Sequence, residues 1–533
     1  CWLAEQEDGK AFPKFECAAF VCGFPSRLSL MDGDGNRRRP LLSTRTLHIS
    51  GMRDTRAPPE EQRHLRALFA RSAMLERPKL THRLPDDEES VRLLGNFLRP
   101  AKSASPELSS WDGTIRWRPH RVLQLSSQDA LVAAVKEARS EGRRVRCIGR
   151  CYSYSPICAA DADAVCIQLD GCLCGISVDP VNRTVTAQAG ARLHAIHEAL
   201  AGAGLSLPAT SALCEETIGG AISVGTHGTG RANGIMASRI VRMTIVTANG
   251  EALPLSAVSN PQLFEYARVS LGLFGILVEV TLQAVPEIFL EKSFFSLPEA
   301  NVPGRVAEML EVGENDSILW FLDPTRETGK IYTRRVIWAA SAGKDAAVSY
   351  GSAGSGAWTA NGRGCTADNP CQDTAYKTLA FPPGAFSHKQ TESEFFLPEG
   401  DALPLALNFA AWLRKASLTW SGLMLLGRYV AADDIPLSPA FQRASVALTL
   451  IMRHPDGEGV DGDLASFGRV AAKFQTLCLA RGGRPHWAKR HTCGATELAS
   501  VYPRYAEFAS LRAKLDPGGM FISSPHLRRM FPP

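Results

Sequence analysis

Glu216-Thr217-Ile218-Gly219-Gly220-Ala221-Ile222-Ser223-Val224-Gly225-Thr226-His227-Gly228-Thr229-Gly230 is the stretch on which the reading of this chain turns. Five glycines fall within twelve residues, interleaved with Thr, Ser and His. Glycine lets a backbone reach positive φ and approach a ligand closely. Successive exposed N–H groups in such a loop form an anion-binding concavity, and small hydroxyl side chains add donors without bulk. The stretch therefore reads as a loop wrapped around a phosphorylated cofactor. Ile218, Ile222 and Val224 alternate as strand residues do, which a flexible linker does not.

The bulk of the chain sets the frame for this loop. At 533 residues it predicts two or three domains, with enough apolar residues (45%) to need no metal or disulfide staple. The net charge of +5 is small for this length, and no basic block is dense enough to argue for nucleic acid. Most of the 14 cysteines sit in apolar runs, as Cys147, Cys166, Cys214 and Cys478 do, and read as small hydrophobes. Cys172 with Cys174, and Cys365 with Cys371, lack a second pair at zinc spacing, so no metal is expected. A reduced, intracellular protein is the default expectation. No apolar run reaches the roughly 18–20 residues that span a bilayer. The chain begins with Cys rather than Met, so a targeting peptide can lie outside the sequence.

Outward from the Gly-rich stretch, four regions are expected. Residues 1–107, with Arg37-Arg38-Arg39, Pro58-Pro59 and Asp86-Asp87-Glu88-Glu89, read as a poorly ordered extension with a helix over 60–74. Residues 108–286 alternate short strands and helices. Strands are predicted over 122–125, 145–148, 164–169, 175–179, 184–188, 239–248 and 276–283. Helices are predicted over 129–140 behind Ser127, over 190–204 with Leu193, Ile196, His197 and Leu200 inward, and after Asn260-Pro261. Asn249-Gly250 is a hairpin signal. The strict βαβ period and the G-x-G-x-x-G fingerprint of a Rossmann domain are absent. A nucleotide cofactor held by two separate loops, the Gly-rich stretch and Gly149–Ser153, fits better. Residues 287–475 read as an α+β cap: mixed strand and loop over 290–338, a Gly/Ser-rich insertion over 341–371, strands near 394–397, 420–429 and 447–452, and helices over 403–414 and 464–481. Residues 476–533 form a C-terminal segment expected to complete the site.

These motifs, in this order, resemble the vanillyl-alcohol-oxidase type flavoproteins, and among them the aldonolactone oxidases. The resemblance runs from about Trp111 to Phe531. It rests on Gly149–Ser153, on Thr217-Ile218-Gly219-Gly220 through Gly225-Thr226-His227-Gly228-Thr229-Gly230, and on Leu271-Gly272 through Gly275-Ile276. Further on it rests on Asp433-Asp434-Ile435-Pro436-Leu437-Ser438-Pro439, Arg484-Pro485-His486-Trp487-Ala488-Lys489 and Leu515-Asp516-Pro517. It implies an α+β fold: a two-part PCMH-type FAD-binding domain with an α+β cap over the flavin. It also implies oxidation of a sugar-1,4-lactone by hydride transfer to FAD, a step toward ascorbate or an analogue, with oxygen or cytochrome c as electron acceptor. Peripheral association with a mitochondrial or endoplasmic-reticulum membrane is a further implication.

The resemblance assigns the site residue by residue. Gly149, Arg150, Cys151, Tyr152 and Ser153 match the loop on the FAD pyrophosphate. Cys151 stands where a Gly is usual, and Tyr152 where many relatives carry a His bonded covalently to the flavin, so non-covalent FAD is expected. Thr217, Gly219, Gly220, Gly225, Thr226, His227 and Gly228 match the second FAD loop, and Ile276 follows in the third. Arg428 matches a strand arginine facing the flavin, suited to a substrate hydroxyl or a developing oxyanion. His486 and Lys489 match a His-Trp-x-Lys motif, the Lys serving the negative charge of reduced flavin and the His a proton relay. Relatives carry a Glu two residues before the arginine, on the same strand face. Here that residue is Leu426, which can neither take a proton nor form a hydrogen bond. Glu394 is the candidate base in its place, with a plain surface strand carboxylate as the competing reading. Leu426 and Tyr152 motivate an alternative, a flavin-binding protein of this fold with weak or lost turnover, and a sugar-alcohol oxidase of the same fold is a third reading.

Overall fold

A computed structural model describes residues 106–313, 317–337, 371–380, 389–418, 422–453 and 460–532. The expected extension over 1–107, all but its last two residues, and the insertion over 341–371, all but Cys371, lie outside the described residues.

Two small sheets build the part that follows residue 105. A three-stranded parallel sheet places Val165–Gln168 between Arg121–Gln124 and Val145–Ile148. The helix Gln128–Ser140 connects the two outer strands. Ser127 accepts the Ala130 amide at 3.1 Å, and Leu131, Val135 and Ala138 are fully buried, so cap and apolar spacing act as the sequence indicates. A five-stranded antiparallel sheet runs in the order Ala252–Ser256, Ile240–Val246, Ile276–Gln283, Thr184–Gln188, Ile176–Asp179. Its Asn249-Gly250 hairpin has Gly250 at φ 71°. The helix Leu193–Ala201 buries Leu193, Ile196, His197 and Leu200, the four residues expected inward.

The Gly-rich stretch itself differs from the strand-like alternation. Ile218–Ser223 is a short α-helix. Ile218 and Ile222, four residues apart, lie on one face of its turn and are fully buried. The period is helical, and six residues are too few to tell it from alternation.

The second part is one eight-stranded sheet. Its order is Cys371–Thr374, Phe289–Pro298, Thr328–Ile337, Ser317–Asp323, Leu423–Val430, Ser445–Arg453, Gln390–Pro398, Arg484–Pro485. The helices Glu399–Lys415 and Val460–Leu479 pack on it, with Phe409 and Phe474 in ring contact at 5.3 Å. The region expected as mixed strand and loop over 290–338 also holds a helix, Val302–Val312. Gly427 on Leu423–Val430 faces Trp320, where a Cβ would lie 2.2 Å from the indole. That contact seats Leu423–Val430 against Ser317–Asp323 and fixes the height of its neighbours Leu426 and Arg428. No helix among the described residues is long and apolar enough to cross a membrane.

Candidate active site

The two expected cofactor loops are in contact. A Cβ on Gly149 would lie 2.1 Å from Thr217 Oγ1, so the first loop passes the second at backbone distance only because residue 149 has no side chain. Between them opens a cleft of about 920 Å³, part of it open to solvent. Its walls include Gly149, Arg150, Cys151, Tyr152, Ser153, Thr217, Gly219, Gly220, Thr226 and Ile276. Gly225, His227 and Gly228 are not in its lining. They carry the chain away from it, with Gly225 at φ 73°, toward the eight-stranded sheet, where the Gly230 amide bonds the Tyr429 carbonyl at 2.7 Å.

The cradle works by shape more than by a run of free amides. The N–H groups of Ile218, Gly219, Ala221, Gly225 and Thr226 donate to the carbonyls of Ala191, Ala189, Thr217, Ile222 and Ala221. In the partner loop Cys151 is left-handed, φ 55°, the conformation the usual Gly would adopt freely. Tyr152 stacks on Trp111 at 5.5 Å and donates to Glu215 Oε2 at 2.9 Å. Burial and that carboxylate push its phenol up to about 12.

Next along the chain from Thr226 and Ala488, which line the cleft, the sheet register gathers the remaining candidates. Glu394 stands opposite Thr449, and Thr449 opposite Leu426, so all three share one face with Arg428 two residues on. The segment after Arg484-Pro485 continues alongside the Glu394 strand: the His486 amide bonds the Glu394 carbonyl at 3.0 Å and the Arg490 amide the Glu392 carbonyl at 2.8 Å. His486 thus stands beside Glu394, and Lys489 beside Glu392.

Glu394 is the hub. It is 1% exposed, which removes the reading of a surface strand carboxylate. Its Oε2 accepts from Arg428 Nη2 and Thr449 Oγ1, and its Oε1 lies 3.0 Å from His227 Nε2. Burial alone would raise this carboxyl, but the Arg428 guanidinium and His227 outweigh it and hold it well below the usual carboxylate range. Burial lowers both His227 and His486, so both imidazoles are neutral. His486 Nδ1 accepts the Ala488 amide at 3.1 Å, which puts its proton on Nε2. His227 faces two acceptors, the Gly228 carbonyl at 2.9 Å from Nδ1 and Glu394 from Nε2. A neutral ring has one proton for those two positions, and a second proton would satisfy both. His227, Glu394 and His486 offer ligand atoms within 4.8 Å of one another, a spacing that suits a metal ion, but the Arg428 guanidinium already occupies the carboxylate. Lys489 bonds Glu392 and lies 4.7 Å above the Tyr154 ring.

Family models match two stretches of this part of the chain: an FAD binding domain over 119–256 and D-arabinono-1,4-lactone oxidase over 357–530. L-gulonolactone oxidase of Bos taurus is 29% identical over 451 residues, covering 80% of this chain and 98% of that protein. L-gulono-1,4-lactone dehydrogenase of Mycobacterium tuberculosis is 28% identical over 454 residues, covering 80% and 100%. Together these matches support the aldonolactone oxidase family. Among solved structures, cholesterol oxidase of B. sterolicum superposes with a TM-score of 0.65 at 17% identity over 80% of this chain and 96% of that one, which shows the shared two-part FAD-binding fold with its cap. A serine hydrolase family model matches residues 1–93, outside the described residues.

FAD is the cofactor of this family, and the cleft fits it. Gly220 lies exposed in the cleft wall, where the backbone is open to close approach. An aldonolactone oxidase is an enzyme acting on a CH–OH group, and the buried cluster sits where the cap strands meet the second FAD loop. Residue-by-residue matching missed Glu216, Glu392, Thr449 and Arg146. Arg146 is a buried guanidinium in the cleft wall, bonded to the Leu271 carbonyl at 2.9 Å, with its Nε unpartnered. Glu216 heads the Gly-rich stretch but is not among its matched residues, and only strand register or the fold of the loops brings in the other three. The period-two run Gln390, Glu392, Glu394 is the one sequence signal that pointed there.

Proposed function

We propose that this protein oxidises a sugar-1,4-lactone, with L-gulono-, L-galactono- and D-arabinono-1,4-lactone as the candidates, in an ascorbate-type biosynthetic step, and that it holds FAD without a covalent bond. Bound flavin supplies the hydride acceptor. The observation that carries the reading is the buried Arg428–Glu394–His227 cluster, joined to the cofactor cleft through Thr226, which lines it. A lactone hydroxyl that loses its hydride must also lose its proton. Arg428, its side chain 13% exposed on the site face of its strand, offers a cation to the oxygen as charge develops on it. Behind Arg428, whose Nη2 lies 3.4 Å from His227 Nε2, the buried His227–Glu394 pair is the group that holds the proton once it is relayed inward, and Glu394 stabilises the imidazolium so formed. In this assignment the proton acceptor comes from the second FAD loop and the strand of Glu394, and Leu426 leaves an apolar wall beside Arg428. The relatives named as oxidases and dehydrogenases, together with this intact acid–base set, favour turnover over a binding protein that has lost it.

Tyr152 supports the non-covalent cofactor. Its hydroxyl is bonded to Glu215 and its pKa is raised, so no phenolate is present to attack a flavin. Acid precipitation of the holoprotein is expected to leave the flavin in the supernatant. Initial rates with the three lactones and with a sugar alcohol, each with oxygen and with cytochrome c, test the substrate and acceptor together. Turnover of the sugar alcohol alone would overturn the lactone assignment.

A further inference from the structure

Glu216 opens the Gly-rich stretch and lines the cofactor cleft, yet neither loop matching nor the acid–base set uses it. Its Oε1 accepts from Ser211 Oγ at 3.1 Å. Its Oε2 is shielded from solvent and has no hydrogen-bond partner. An unpartnered carboxyl oxygen in a cleft wall is costly unless the ligand that fills the cleft bonds it.

The charges around Glu216 decide which form it takes. Lys489 is the strongest attractive charge, but it is already bonded to Glu392, so ionising Glu216 would put two carboxylates on one ammonium. Arg428 acts more weakly and is committed to Glu394. Tyr154 and Cys214 face it as neutral groups, held so by burial. Burial itself is the largest influence, and it raises the carboxyl to about 7, so the proton is present below neutrality.

FAD offers acceptors to such a group: diphosphate oxygens, and flavin carbonyls. A protonated carboxyl can donate to any of them, whereas a carboxylate has no proton to give and repels the diphosphate. We propose that Glu216 binds FAD in its protonated form, donating from Oε2, so that cofactor retention is linked to one proton on this side chain. The proposal rests on FAD as the cofactor and is independent of the substrate. The sign follows from linkage: FAD binds the protonated form, so affinity is constant while Glu216 is protonated and falls once pH rises past its pKa.

The test is FAD release from the full-length holoprotein on dilution, read by flavin fluorescence between about pH 5.5 and about pH 8.5, with Glu216→Gln measured beside it. The wild type is expected to hold FAD with constant affinity at the acid end and to lose about tenfold in affinity per pH unit above neutrality. Glu216→Gln, a permanent donor of similar shape, is expected to show no pH dependence. A flat wild-type profile, or a Glu216→Gln protein that keeps the wild-type slope, overturns the proposal. Infrared difference spectra of wild-type minus Glu216→Gln holoprotein give a readout that needs no release. A protonated-carboxyl band at the acid end that fades toward the alkaline end is expected, and its absence at the acid end overturns the proposal equally.

Discussion

The cofactor cleft and the buried Glu394 cluster, to which we assign the proton, are built on opposite principles. The cradle is backbone: Gly149 passes Thr217 at a distance only glycine permits, and the amides of Ile218, Gly219 and Ala221 bind the protein's own carbonyls. The cluster is side chain: Glu394, Thr449, Arg428, His227 and His486 meet because three strands hold one register and the Arg484–Arg490 segment extends it. A cradle made of close backbone passages fails by steric intrusion. A cluster of buried charges fails by loss of one partner. The two regions therefore respond to different substitutions, and the contrast can be tested.

The largest effect is expected from Glu394→Gln. It removes the buried counter-charge of Arg428 and leaves one amide oxygen to serve Arg428, Thr449 and His227, so stability is expected to fall by about 3–5 kcal/mol in chemical denaturation. Turnover is expected to fall about 10²–10⁴-fold, the range for a lost acid–base partner, while flavin content of the folded protein stays intact. Loss of flavin in parallel would mean that cluster and cradle are one unit. Gly149→Ala probes the other side. Its Cβ intrudes on Thr217, which is expected to cost about 1–3 kcal/mol and to empty the cleft of flavin, read from the visible flavin band. Adding Thr217→Ala removes the atom at 2.1 Å but leaves the Thr217 Cβ position at 3.1 Å, so partial recovery is expected. Leu426→Glu comes next. With the proton acceptor already at His227 and Glu394, turnover is expected to change by less than about tenfold. A gain of about 10²-fold or more would show that the cluster lacks its base. The smallest effect belongs to Cys151→Gly. Relief of the left-handed Cys is worth about 1–2 kcal/mol, and the greater freedom of Gly in the unfolded chain offsets part of it, leaving a gain of about 0.5–1 kcal/mol in thermal unfolding.

What was legible in the sequence follows the same division. The cradle loops, the Gln128–Ser140 helix behind Ser127 and the inward face of Leu193–Ala201 are local features, written in glycines, caps and spacing, and they stand where they were expected. The six residues of Ile218–Ser223 were too short for their period to show, and the alternation misled. In the cluster, Arg428, His486 and Lys489 were legible through ordered motifs. The burial of Glu394 was not, because it depends on Arg428, 34 residues on, and on His227, 167 residues back. Glu216 was quoted at the head of the Gly-rich stretch and passed over, since nothing local marks a carboxyl whose partner oxygen is stranded and whose nearest lysine belongs to another glutamate.

The central claim is that cleft and cluster together oxidise a sugar lactone on FAD. Anaerobic mixing of the holoprotein with L-gulono-, L-galactono- and D-arabinono-1,4-lactone, followed at the visible flavin band, tests it most directly. Bleaching of that band by at least one of the three lactones, slowed in Glu394→Gln, is the predicted result. A flavin band that stays oxidised with all three would contradict the account.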